Sequence, residues 1–143
     1  MNSEQNKAFF RRIPEEVFNQ GHLAVADEIF APDYIEHAPL PIPPGSSSRE
    51  SFKQFVTMVR SAFPDFHYTV EDEIAEGDQV VTRLTARGTQ QGAFLGMPPS
   101  GKVATWSEIH ISRMADSQLA EHWVVIDQLG MLQQLGAIPA PGQ

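Results

Sequence analysis

The spacing of hydrophobic positions along this chain changes near Pro64. Before it, apolar residues recur every three or four positions. After it, they alternate with polar ones over long runs. Ser3 is placed to cap a first helix that starts near Glu4 and carries Ala8, Phe9, Arg12 and Ile13 in its body. Pro14 cannot donate a backbone hydrogen bond, so that helix should kink or restart there. Glu15 to Asn19 reads as its second piece, closed by Gly21. Leu23, Ala26, Ile29 and Phe30 predict a short helix stopped by Ala31-Pro32, and Tyr34-Ile35-Glu36-His37 a short strand. Ala38 to Ser48, rich in proline and serine, reads as a loop placed to cover a pocket. Ser48 then caps a helix with the stripe Phe52, Phe55, Val56, Val59 and Phe63.

The alternating half of the chain predicts two hairpins. Phe66 to Glu76 and Gln79 to about Gln90 flank the turn Gly77-Asp78. Lys102 to Met114 and Leu119 to Asp127 flank Ala115-Asp116-Ser117-Gln118. Gly92 to Gly101 is a Gly/Pro loop, and Leu129, Leu132 and Leu135 suggest a terminal helix stopped by Gly136. Helices first and long antiparallel strands after predict an α+β domain, with helices on one face of a curved sheet. A chain of 143 residues fits one domain, residues 1–143, with 137–143 a loose tail.

The last strand, Glu121 to Asp127, ends in a carboxylate where its apolar character stops. Burial makes such a charge costly and its pKa tunable. If the hairpin is symmetric about Asp116-Ser117, His110 opposes Trp123, Glu108 opposes Val125 and Trp106 opposes Asp127. Opposed residues share a face, so Trp106, Glu108, His110, Trp123 and Asp127 would gather on one side. Ile109, Ile111, Val124 and Ile126 would form the other, with His122 among them. A one-residue slip would regroup these faces. Two carboxylates and an imidazole can share acid and base work within aromatic walls. The same strands equally suit a buried ion pair of Glu108 with His110 or His122, with Asp127 capping the following helix.

Composition narrows the partners. The net charge of −8, with no basic run, disfavours nucleic acid and anionic membranes. No apolar run approaches the roughly 20 residues of a membrane span, and the first residues lack a signal-peptide stretch, so a cytoplasmic protein is expected. There is no cysteine, and the five histidines lack metal-ligand spacing, so no metal is expected. Asp72 should oppose Arg83 in the first hairpin. This reads as a structural pair, or as part of an Asp–Arg–Asp set with Asp127. His22 and His67 carry no signal.

Several stretches resemble one family. They are Phe18-Asn19-Gln20-Gly21, Phe30 to His37, Phe63-Pro64-Asp65-Phe66 and Glu76 to Val80. They continue with Arg87-Gly88-Thr89, Gly92 to Gly101 and Glu121 to Asp127. Together they resemble the SnoaL-like polyketide cyclases, or ester cyclases, of the nuclear transport factor 2-like superfamily, from about Phe10 to Gly136. The resemblance implies a cone-shaped antiparallel sheet whose helices enclose a pocket, often in a dimer. It implies that Asp127 stands where those enzymes carry an acid–base aspartate, His110 where a histidine assists, and His37 where another lies. Glu108 replaces an amide side chain, and Gln90 a histidine common in relatives.

These readings converge on a cofactor-independent enzyme for a small apolar or aromatic carbonyl compound. Asp127, His110 and His37 are the expected catalytic residues, and Trp106, Glu108 and Trp123 the expected substrate contacts. Epoxide hydrolysis by Asp72, Arg83 and Asp127 is the second reading, and a non-catalytic binding protein the third. The apolar sheet face predicts a homodimer.

Overall fold

The structure, a computed structural model, describes residues 1–38 and 48–142. The predicted loop Ala38 to Ser48 falls almost wholly outside them. Helix α1 spans Ser3–Arg12, with Asn2 rather than Ser3 as its cap. The Asn2 side chain accepts from Gln5 N–H at 2.8 Å, and the Gln5 side chain accepts from Asn2 N–H at 2.9 Å. This reciprocal pair satisfies two helix-end donors, which places the start one residue earlier than Ser3 would.

Pro14 does not end the helix. It widens it into a π-helical segment, Ile13–Phe18, in which Asn19 N–H reaches back five residues to Pro14 O at 3.0 Å. Proline crowds the preceding turn, and the wider coil relieves that contact. Helix α2 covers Val25–Ile29 and leads directly into β1, Phe30–Glu36. The strand thus starts four residues before Tyr34. Pro32 is accommodated because β1 is an edge strand with an irregular register. Helix α3 is Ser48–Ala62. Strands β2 (His67–Glu76), β3 (Gln79–Thr89), β4 (Val103–Ala115) and β5 (Gln118–Ile126) precede α4, Gln128–Gln134.

The five strands form one sheet in the order β1-β5-β4-β3-β2. All neighbours are antiparallel except β1, which runs parallel to β5 and sets Glu36 beside His122. Helices α1 and α3 and the π segment pack on the inner face. Phe10, Val17, Phe18, Phe30, Val56, Phe63, Leu84 and Leu119 are buried between the layers. Gly88 lets α3 approach closely, since a Cβ there would lie 2.9 Å from Phe63 Cβ.

The β4–β5 hairpin turns on Asp116 and Ser117, both with positive φ, which suits a two-residue turn of the strand-matching hand. Next to the turn the expected symmetric register holds: Ala115 pairs Gln118 and Met114 pairs Leu119. Then Arg113 pairs Glu121, leaving Ala120 without a partner in a bulge. Beyond it every pairing is offset by one. His110 opposes Val124, not Trp123, and Glu108 opposes Ile126, not Val125. The expected faces of β5 are therefore exchanged. His122, Val124 and Ile126 point inward, and Trp123 and Val125 lie on the outer face.

Candidate active site

A cavity of about 450 Å³ opens between the sheet and the helices. This is ample for a drug-sized ligand. Phenylalanines supply most of its wall: Phe10 and Phe18 from the N-terminal helices, Phe30 from β1, Phe52, Phe55 and Phe63 from α3's side, and Phe66 and Phe94 from loops. Trp106 forms part of the floor. Among the described residues that line it there is no lysine or arginine. Its ionisable groups are Glu36, Glu108, His110 and His122, with the Tyr68 hydroxyl.

Glu108 lies deepest, at 3% exposure. Strand alternation puts it on the inner face between Trp106 and His110. Its Oε1 accepts from the Tyr68 hydroxyl at 2.7 Å and lies 2.8 Å from His110 Nε2. Its Oε2 accepts from Trp106 Nε1–H at 2.8 Å. Burial pushes the Glu108 carboxyl up. The donors His110, Tyr68 and Trp106 together outweigh it and hold the group below the usual carboxylate range. Burial lowers the His110 imidazole more than Glu108 raises it, so His110 is held neutral. Burial, then the Glu108 charge, push the Tyr68 hydroxyl well up, which keeps it a donor.

The contacts continue past His110. Its Nδ1 lies 2.8 Å from His122 Nε2, and His122 Nδ1 lies 2.7 Å from Glu36 Oε2. Phe10 packs over both imidazoles, with ring centroids 6.0 Å and 6.4 Å away. Three strands thus build one unbroken row of side chains, Glu108–His110–His122–Glu36, along an apolar wall.

Of the residues expected from sequence to form the site, Trp106, Glu108 and His110 line this cavity. Asp127, Trp123 and His37 do not. The expectation that Asp127, His110 and Trp123 share one cavity is corrected by the bulge at Ala120. Asp127 is exposed and caps α4, its Oδ1 accepting from Gly130 N–H at 3.0 Å. Trp123 stacks on His37 on the outer face at 4.8 Å, with the planes 5° apart. His37 Nε2 also meets Glu121 Oε2 at 2.6 Å. Glu121 is held below the usual carboxylate range by His37 and then Arg113. Asp72 and Arg83 pair at 2.7 Å on exposed side chains of the outer face. The Asp72, Arg83 and Asp127 set for epoxide hydrolysis therefore does not converge in the cavity.

Glu36 and Tyr68 were not singled out from sequence, and His122 entered only as an alternative ion-pair partner of Glu108, on the opposite face. Alternation along Phe66 to Glu76 carried a signal for Tyr68. Nothing local marked Glu36, whose role depends on β1 lying next to β5. Among the described residues no three His, Asp or Glu side chains are arranged to hold a metal ion.

The match to a known family covers nearly the whole chain. Residues 8–135 fit the family model described as SnoaL-like polyketide cyclase. The chain belongs to the SnoaL-like polyketide cyclase family. Within that family it is 32% identical over 120 residues to nogalonic acid methyl ester cyclase of Streptomyces nogalater, covering 83% of this chain and 89% of that one. It is 30% identical over 122 residues to aklanonic acid methyl ester cyclase DnrD of Streptomyces peucetius, covering 85% and 84%. Among solved structures it superposes on TsrD from Streptomyces laurentii with a TM-score of 0.86 at 28% identity, covering 96% of this chain and 99% of that one. It also superposes on wild-type IdmH from Streptomyces antibioticus with a TM-score of 0.77 at 35% identity, covering 92% and 99%. The α+β fold of a curved sheet with helices on one face is thus that of the SnoaL-like cyclases.

Proposed function

We propose that this protein is a ring-closing enzyme for a flat, apolar polycarbonyl compound, working by acid–base catalysis in an intramolecular aldol-type addition. The observation that carries this reading is the row Glu108–His110–His122–Glu36 on the wall of an aromatic cavity. The phenylalanines and Trp106 hold an extended ring system by apolar contact. The row supplies the only acid–base groups that the described lining residues bring to it, apart from the Tyr68 hydroxyl. Low dielectric around the row strengthens its effect on charge that develops in the substrate. Asp127 serves as the α4 cap in this reading.

The relatives' names supply the probes. Nogalonic and aklanonic acid methyl esters should be converted by the purified protein to isomers of unchanged mass, since an aldol ring closure adds and removes no atoms. Mass spectrometry with chromatographic separation reads both. A compound that binds in the cavity by crystallography, with no ester of this class converted, would overturn the reading in favour of a binding protein.

We also propose a homodimer through the outer sheet face. Ile74, Ile109, Ile111 and Val125 stand exposed there, while α1 and α3 pack against the inner face. These exposed aliphatic side chains are a poor match for water and a good one for a second copy.

A further inference from the structure

The row of four side chains contains a proton count. Its three contacts measure 2.8, 2.8 and 2.7 Å, each joining a ring nitrogen to another nitrogen or to a carboxylate oxygen. Every such contact needs one hydrogen between its two atoms, because two lone pairs at that distance repel. A neutral imidazole brings one N–H, and an ionised carboxylate brings none. Two neutral histidines and two carboxylates therefore supply two protons for three contacts. The geometry requires a third.

The surroundings place it. Glu108 accepts from Tyr68 and from Trp106, which favours its ionised form. The first contact is then filled from His110 Nε2–H. A neutral His110 has a bare Nδ1, which accepts from His122 Nε2–H. That leaves the His122–Glu36 contact for the third proton. Glu36 Oε2 also accepts from Ala38 N–H at 3.3 Å, and Oε1 from the Tyr34 hydroxyl at 3.4 Å. Donors on both oxygens favour a carboxylate there, so the proton belongs to His122 Nδ1. The row then reads carboxylate, neutral imidazole, imidazolium, carboxylate. The imidazolium is next to one anion and linked to the other through His110.

We infer that Glu36 is a catalytic acid–base residue, paired with a doubly protonated His122 that the His110–Glu108 pair holds in place. The placement of the proton stands on contacts alone; the catalytic step rests on the cyclase reading above. Glu36 lines the cavity, and among the described residues the contact on its Oε1 is the long one from Tyr34. A substrate carbon next to a carbonyl gives its proton to Oε1, and the C–H electron pair becomes an enolate. The adjacent imidazolium stabilises the enolate's negative charge. The enolate carbon bonds to the acceptor carbonyl carbon, and the C=O π pair moves to oxygen. That oxygen takes the proton back from Glu36. One C–C bond has formed, one C–H has become one O–H, and the enzyme is restored. Tyr34 of β1 meets Glu36, and His110 of β4 and the Phe10 ring of α1 meet His122, while Tyr68 of β2 and Glu108 of β4 meet the row at His110. Thr82 of β3 lies beside His110 and directs its hydroxyl to Glu73, which pairs with Arg11 of α1.

Nitrogen NMR of the substrate-free protein, labelled at histidine, tests the proton. At pH 7 we expect protons on both ring nitrogens of His122 and on only one of His110. Glu36→Gln keeps the side chain's shape and offers an N–H to His122 Nδ1, so His122 should fall to one protonated nitrogen while His110 is unchanged. A bare His122 Nδ1 in the wild type, with a spectrum unaltered by Glu36→Gln, would overturn the assignment. On an ester that the wild type converts, Glu36→Gln should lose about 10²–10⁴-fold in kcat with little change in KM. Glu36→Asp, which restores the charge one methylene short, should recover part of it. Wild-type kcat in Glu36→Gln would remove the role of Glu36 and leave the cyclase reading intact. If the wild type converts no ester, the catalytic role falls with that reading, and the NMR result still decides the proton.

Discussion

His110 and His122 meet ring to ring at 2.8 Å, on neighbouring strands, although neither is the other's direct partner. Ser112 pairs with His122, and Val124 with His110. The two imidazoles touch along the diagonal of one sheet face, within reach of long side chains. They share that face because Ala120 drops out of the pairing. Without the bulge, His122 would point outward and the row of acid–base groups would stop at His110.

The His110–Glu108 pair makes the fold sensitive to acid. Both groups have folded-state pKa values below their ordinary ones. The unfolded chain therefore takes up protons first as pH falls, so acid favours unfolding. The His110 contribution is complete above about pH 6.5 and is lost as pH drops through its lowered folded value. The Glu108 contribution is complete above about pH 4.3 and is lost below that. Thermal unfolding followed from pH 8 to pH 4 should show Tm falling on acidification, beginning near pH 6.5. His110→Asn should flatten the first part of that fall.

Glu108→Gln should destabilise the protein by about 1–3 kcal/mol, because one amide oxygen cannot accept all three donors and the amide N–H₂ opposes one of them. Chemical denaturation gives the value. A change under about 0.5 kcal/mol would mean that the three contacts are not all formed in solution.

Asp127 separates the capping role from a catalytic one. Asparagine caps a helix about as well as aspartate, so Asp127→Asn should leave both stability and turnover near wild type. Asp127→Ala should cost about 0.5–2 kcal/mol of stability. If Asp127→Asn instead removed turnover by orders of magnitude at unchanged stability, an acid–base role for Asp127 would be established.

The outer face predicts the assembly. Ile109 and Val125 oppose each other there across β4 and β5. Changing Val125 to Lys places a charge at the centre of the proposed contact. Light scattering should show a dimer for the wild type and a monomer for the variant. A wild-type monomer at micromolar concentration would remove the proposal.

The order of helices and strands and most element bounds were legible in the sequence, because periodicity is a local signal. The stripe from Phe52 to Phe63 and the alternation from Trp106 to His110 each depend on one element's own geometry. The turn at Asp116-Ser117 and its symmetric pairing were legible for the same reason. Two features were decided only by the tertiary structure. One is the bulge at Ala120, where a single unpaired residue reverses the faces of β5 and moves Trp123 and Asp127 outward and His122 inward. The other is the sheet order, which lays β1 beside β5 and Glu36 beside His122, residues 86 positions apart. Neither has a local signature. A strand's neighbours and its unpaired residue are settled by which arrangement buries the most apolar surface on the inner face. That is a property of the packed chain and of no one segment.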